Sequence, residues 1–301
     1  MGDSQAPFAD RLTQAVRERE SQICLGLDPD PANLRVETDN RLAESLGTAA
    51  ATGAAVSAHC RELIELAGPH SVAVKPQLAC FERLGAPGWQ ALADVTAAAR
   101  EAGLLVIADG KRGDVPVSAA VYAQGLLGTV NTPGGEITGL GADAATINPL
   151  TGRDSLEPLV ETAAATGSGL FALVRTSNPG AADVFDLRLE DGGTVSDHIA
   201  RIVDGFADRL AGSEGLSGMG AVVGATEPGH IGRLRELMPR SVFLLPGVGA
   251  QGGTADELGP AFDGAGPAGA IITASRSIAN ADDPAAAAAR LREQVLAVSA
   301  R

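Results

Sequence analysis

Apolar runs rich in β-branched or small residues recur eight times along the chain, each giving way to polar residues. They cover Ile23–Asp28, Ser71–Gln77, Leu104–Lys111, Ala144–Leu150, Gly169–Ser177, Ala221–Thr226, Ser241–Gly249 and Gly269–Ser275. Their hydrophobic positions are continuous rather than alternating, as in parallel strands buried on both faces. Between the runs, apolar residues return at helical spacing. Trp89–Glu101 puts Leu92, Val95 and Ala99 on one stripe, with Gly103 placed to end the helix. Asp154, with Glu157 three residues on, reads as the cap of a helix carrying Leu156, Leu159 and Val160. Thr226-Glu-Pro228 opens another, since proline is tolerated in a first turn. Alanine-rich Pro284–Val298 carries Leu291, Val295 and Val298 along one face.

Eight β-then-α units predict an α/β fold, a closed (β/α)8 TIM barrel. The rival is an open doubly wound sheet, weakened because no GxGxxG follows the first run. On this reading residues 1–301 form one barrel domain with extended loops near 29–53 and 178–193. The first loop leads into a long helix ending near Leu66. Long loops at the C-terminal ends of barrel strands hold substrate lids, though a tolerated insertion reads the same way.

Composition narrows the class. With 301 residues, 45% of them hydrophobic, the chain can bury a large core and is not disordered. Its 23 basic and 37 acidic residues, net −14, argue against a nucleic-acid partner or an anionic membrane surface. A small anionic substrate stays compatible, because a pocket can be locally cationic. Cys24, Cys60 and Cys80 form neither a disulfide framework nor a CxxC pair. His59, His70, His198 and His230 show no metal-ligand spacing, so no metal is expected. The first residues lack a secretion signal, and no apolar stretch approaches the roughly 18 residues of a membrane span. A cytoplasmic location is expected.

Asp109-Gly-Lys111-Arg-Gly-Asp114, at the end of the third run, is the densest chemical signal. Residues two apart in a strand share a face, so Asp109 and Lys111 project together. Alone, that reads as an ordinary ion pair where a strand leaves the core. Three other run ends weigh against that: Asp28 on the first, Lys75 inside apolar Val72-Ala-Val-Lys-Pro-Gln77 on the second, and Asn148 on the fourth. A lysine in such a run is costly unless paired. In a barrel these ends meet at one mouth, where catalytic residues belong. Pro246-Gly-Val-Gly-Ala-Gln251-Gly-Gly253 and Ala274-Ser275-Arg276 follow the last two runs. Backbone N–H groups and an arginine there suit a phosphate, against glycine turns beside a surface arginine. Ser177, ending the fifth run, either caps its turn or bonds a polar heterocycle. No GxSxG supports a serine nucleophile.

Asp109-x-Lys111-x-x-Asp114, together with Leu27-Asp28, Lys75, Pro246–Gly253 and Arg276-Ser-Ile, resembles the orotidine 5′-phosphate decarboxylase family from Cys24 to about Pro284. DGKRGDV and VRTSNPGA resemble its longer bacterial branch. The resemblance implies decarboxylation of orotidine monophosphate to UMP and CO2 in de novo pyrimidine biosynthesis, with no cofactor or metal. It implies a homodimer in which Asp114 reaches the partner's site. Lys111 matches the proton donor to C6, Asp109 the carboxylate beside the leaving group, and Lys75 the lysine joining that array to the ribose. Asp28 and Ser118 match ribose contacts, Ser177 the pyrimidine contact, and Gln251, Ser275 and Arg276 the phosphate grip. Ser275 departs from the glycine common there and could crowd the phosphate. Two alternatives remain: a related sugar-phosphate lyase such as a hexulose-phosphate synthase, using a divalent ion, and a non-catalytic nucleotide-binding barrel.

Overall fold

The computed structural model describes residues 5–36, 39, 41, 44–45, 47–190, 192–248 and 252–300. Eight parallel strands close into a barrel: β1 (Ile23–Leu27), β2 (Ala73–Pro76), β3 (Leu105–Arg112), β4 (Ala144–Ile147), β5 (Gly169–Arg175), β6 (Ser217–Val223), β7 (Ser241–Pro246) and β8 (Ala270–Ala274). Neighbours in the chain are neighbours in the sheet, and β8 returns to β1 with Cys24 opposite Thr273. The main helices are α1 (Phe8–Arg19), α2 (Thr48–Ala67), α3 (Ala86–Glu101), α4 (Pro116–Leu126), α5 (Arg153–Thr166), α6 (Val195–Asp204), α7 (Pro228–Leu237) and α8 (Pro284–Ser299).

The continuous apolar runs arise because each strand is covered twice. Leu25, Val74, Val106 and Ala145 face outward and pack with helix residues such as Leu63, Leu92 and Leu159. The alternate positions, among them Cys24, Ala73, Ile107, Ala144, Phe171, Leu244 and Ile271, fill the barrel interior. Extending that inward set by two residues toward the strands' C-terminal ends reaches Lys75, Asp109 and Thr146. The same alternation that fills the lower barrel with hydrocarbon therefore delivers polar side chains to its mouth.

The strand expectations hold in number and order, while the boundaries move. The sixth strand starts at Ser217, ahead of the expected Ala221, because Ser217-Gly-Met-Gly220 has little β propensity to announce it. Asp154 does not cap its helix: Gly152 occupies that position, and Asp154 lies in the first turn of α5. There it still suits the positive end of the helix dipole. Asp283 does cap α8, accepting the Ala286 N–H.

Two features fall outside the expected runs. An exposed hairpin pairs Thr129–Thr132 with Gly135–Thr138. Helix α1, with Phe8, Leu12 and Val16 buried on one stripe, closes the floor of the barrel opposite the mouth. Phe8 meets Phe171 edge to face at 5.8 Å between ring centroids. Gly169 permits this, since a Cβ there would lie 2.5 Å from the Phe8 ring. Asp10 accepts the Ser213 N–H, and Arg11 pairs with Asp143. After β5, the segment 178–193 holds a turn at Pro179–Ala181 and a short helix at Ala182–Phe185.

Candidate active site

At the C-terminal mouth lies a cavity of about 390 Å³, the expected place for a barrel's chemistry. Asp28, Lys75, Asp109, Lys111, Ser177, Ser275 and Arg276, drawn from both ends of the chain, all line it. Val222, Leu244, Pro246 and Val248 supply an apolar side. Three cationic side chains against two carboxylates make the pocket locally cationic on an acidic protein.

Asp109 organises the polar side. It is 4% exposed and accepts four side-chain hydrogen bonds. Lys75 Nζ at 2.5 Å and Gln77 Nε2 at 3.2 Å reach Oδ2, while Lys111 Nζ and the Thr146 hydroxyl, each at 2.7 Å, reach Oδ1. Burial alone would push the Asp109 carboxyl up. The ammonium groups of Lys75 and Lys111, with their hydrogen bonds, overturn that and hold it well below the usual carboxylate range. Burial likewise favours neutral Lys75, but Asp109 and then Asp28 reverse it and keep the ammonium above its ordinary range. The result is an array of charge pinned by hydrogen bonds, with Asp109 and Lys75 buried and Lys111 reaching solvent.

Lys111 arrives by a route that simple strand geometry does not supply. The pairing of β3 with β4 is irregular between Ala108 and Arg112, and Lys111 adopts φ +48°. Only Glu20 shares a positive φ among the described non-glycine residues. Such a conformation costs roughly 1–2 kcal/mol for a residue with a Cβ. The Lys111 N–H donates to Thr146 Oγ1 at 2.9 Å, so the turned backbone is anchored to the neighbouring strand.

At the other end, Arg276 opens a short helix, Arg276–Ala279, just beyond β8. Ser275 does not occupy space by chance: a Cβ on Gly26 would lie 1.9 Å from its Oγ. The serine side chain therefore leans over β1, into the space that glycine leaves, and does not point straight across the pocket. Gln251 lies outside the described residues. Asp114 and Ser118 do not line the cavity; they sit where the chain enters α4, half-buried.

Thr146 and Gln77 were not among the expected site residues. A threonine within a β run is an ordinary strand former, and only its position one strand over from Asp109 distinguishes it. Arg112, Arg175 and Asn148, at the same strand ends, turn to other partners. Arg112 pairs with Glu82 and lies over the Tyr122 ring. Arg175 grips Asp186 through two bonds, at 3.0 and 2.9 Å. Asn148 accepts the Leu150 N–H. Burial pushes the Cys24 thiol up to about 12, which leaves it unreactive as a nucleophile. Among the described residues no cluster of three or more His, Cys, Asp or Glu is arranged for a metal ion, and no helix is long and apolar enough to cross a membrane.

Fold and pocket together define a (β/α)8-barrel enzyme whose mouth cavity is lined by a Lys–Asp–Lys array and an arginine. Residues 21–291 match the model of the orotidine 5′-phosphate decarboxylase / HUMPS family. The chain belongs to that family. It is 40% identical to orotidine 5′-phosphate decarboxylase of Rhodopirellula baltica over 275 residues, covering 90% of this chain and 87% of that protein. It is also 40% identical to the Deinococcus radiodurans enzyme of that name over 282 residues, covering 90% and 88%. The solved structure of Leishmania donovani OMP decarboxylase superposes with a TM-score of 0.73 at 32% identity, covering 98% of this chain and 100% of that one.

Proposed function

We infer that this chain is a carboxy-lyase that converts orotidine 5′-phosphate to UMP and CO2 in pyrimidine biosynthesis. The observation that carries this reading is the Lys75–Asp109–Lys111 array on the wall of a cavity that also holds Arg276. Cleaving the C6–carboxylate bond leaves an electron pair in the plane of the pyrimidine, where the ring π system cannot take it up. Fixed positive charge beside C6 must stabilise that pair. The Lys111 ammonium, held by Asp109, stands to do so and then to pass a proton to C6 as CO2 departs. Its side chain is 41% exposed, so solvent can return the proton. Asp109 faces the substrate carboxylate, and Lys75 keeps Asp109 ionised and links it to the ribose. Asp28 holds ribose hydroxyls, Ser118 joins Asp114 in reaching the ribose of the partner's site, and Ser177 bonds the pyrimidine. Gln251, Ser275 and Arg276 hold the phosphate, whose binding energy offsets bringing two carboxylates together.

The working unit in this reading is a cytoplasmic homodimer of single-domain subunits, with Asp114 completing the partner's site. Supporting it, Asp114 is followed by Val115, Val117 and Val121, exposed by 58%, 80% and 64%, an apolar face that a second copy would cover. The chemistry proposed needs neither metal nor cofactor. The decisive experiment follows the ultraviolet spectrum of orotidine 5′-phosphate with purified protein, with and without EDTA. Conversion unaffected by EDTA supports the reading. Binding of UMP without spectral change, or activity lost to EDTA and restored by a divalent ion, overturns it.

A further inference from the structure

We propose that Thr146 is a positioning residue for the decarboxylation, setting the angle at which Lys111 presents its ammonium group. This inference rests on the activity and the Lys111 role proposed above. Thr146 is 1% exposed and lies on β4, the strand beside Asp109 and Lys111. Its hydroxyl has one proton and two lone pairs. The proton goes to Asp109 Oδ1 at 2.7 Å, and a lone pair accepts the Lys111 N–H at 2.9 Å. Lys111 Nζ returns to the same Oδ1 at 2.7 Å. The three residues form a closed ring of hydrogen bonds: Lys111 backbone to Thr146, Thr146 to Asp109, and Lys111 side chain to Asp109.

That ring ties two ends of one residue. Lys111 has a left-handed backbone, which a lysine does not adopt without support. The bond from its N–H to Thr146 fixes the backbone end, while Asp109 fixes the ammonium end. Without the hydroxyl, Lys111 keeps its charge and its ion pair, but its backbone can relax toward ordinary strand geometry. The ammonium would then reach C6 from a different direction. Proton delivery depends steeply on such placement, whereas binding through the phosphate and ribose does not.

The test compares Thr146→Val, which keeps the shape and removes the hydroxyl, with Thr146→Ser, which keeps the hydroxyl. Thr146→Val should lower kcat by about 10- to 100-fold while KM and the Kd for UMP stay within about threefold. Thr146→Ser should retain kcat within about threefold of the parent. The inference is overturned if Thr146→Val keeps kcat within that margin, if serine loses as much as valine, or if the loss falls on KM alone. Should Thr146→Val lack a cooperative thermal transition, Thr146→Ala is judged by the same thresholds. A parent that leaves orotidine 5′-phosphate unchanged overturns the activity reading, and this one with it. An active parent with an unaffected valine variant overturns the Thr146 role alone.

Discussion

Lys75 and Lys111 bind the same carboxylate, yet removing each should damage a different property. The Lys75 side chain is 7% exposed and that of Lys111 is 41% exposed. Lys75→Met leaves Asp109 ionised in a buried site, with Lys111, Gln77 and Thr146 as its remaining donors. Breaking a buried pair costs about 3–5 kcal/mol, and those three donors put the expected loss at the lower end of that range. At about 2–4 °C per kcal/mol, the scale for domains slightly smaller than this one, the melting temperature should fall by roughly 6–12 °C. Lys111→Ala removes a partly solvated pair, worth no more than about 1 kcal/mol of stability. The left-handed strain stays, because alanine has the same Cβ and its N–H still bonds Thr146. Turnover should nevertheless vanish, while UMP binding, carried by phosphate and ribose contacts, stays within a few-fold. Thermal unfolding, the spectral assay and calorimetry with UMP measure the three quantities on the same preparations. Lys111→Ala turning over within about tenfold of the parent, ~1.4 kcal/mol, would refute its assignment as proton donor. Lys75→Met melting within a degree or two of the parent would refute the claim that Asp109 depends on it.

Other expectations follow from separate parts of the molecule. Gly26→Ala should lower both the melting temperature and UMP affinity, by about 1–3 kcal/mol in stability, and adding Ser275→Gly should restore most of the loss; a double variant as poor as the single one counts against the fit of these two residues. Phe8→Ala should cost about 3–5 kcal/mol in denaturant unfolding while leaving kcat nearly unchanged, since Phe8 lies at the floor opposite the mouth. Burial holds His59 below its ordinary range, so the unfolded chain binds that proton more tightly than the native one. Its contribution is present above the unfolded value of about 6.5 and is lost as pH falls through it toward the native value; urea midpoints should therefore drop from pH 7.5 to pH 5, less steeply in His59→Gln. If Asp114 completes the partner's site, mixing Lys111→Ala with Asp114→Ala should regenerate about a quarter of the parent's sites after subunit exchange, and no recovery would argue that each site is self-contained.

The barrel was legible because parallel strands covered on both faces must be apolar along their whole length. That requirement writes itself into Leu104–Ala108 or Ser241–Leu245 without help from tertiary context. Where glycine does the packing, as in Ser217–Gly220, the run fades and the strand start is lost. Lys75 and Asp109 were legible for the opposite reason, being charges in places where hydrocarbon is expected. Thr146 carries no such contrast. Its importance comes from a neighbour on another strand, and neither local pattern nor spacing encodes that adjacency. Lys111 was placed correctly for an incomplete reason. Same-face alternation brings it to Asp109 in the ideal strand, but the strand bulges, and a left-handed turn makes the contact instead.

Helix α1 also has a consequence for how the molecule is assembled in time. It is the earliest of the described elements to leave the ribosome, yet the partners that seat it come much later. Arg11 waits for Asp143, 132 positions on, and Asp10 for Ser213, 203 positions on. The pocket for Phe8 does not exist until β5 has been made, because Gly169 and Phe171 form its walls. Closing so distant a contact is slow and keeps apolar surface waiting. During synthesis, then, the stripe of Phe8, Leu12 and Val16 travels as an unsatisfied amphipathic segment, a natural target for chaperone capture. Its docking can be completed only once β5 and Ser213 have been made.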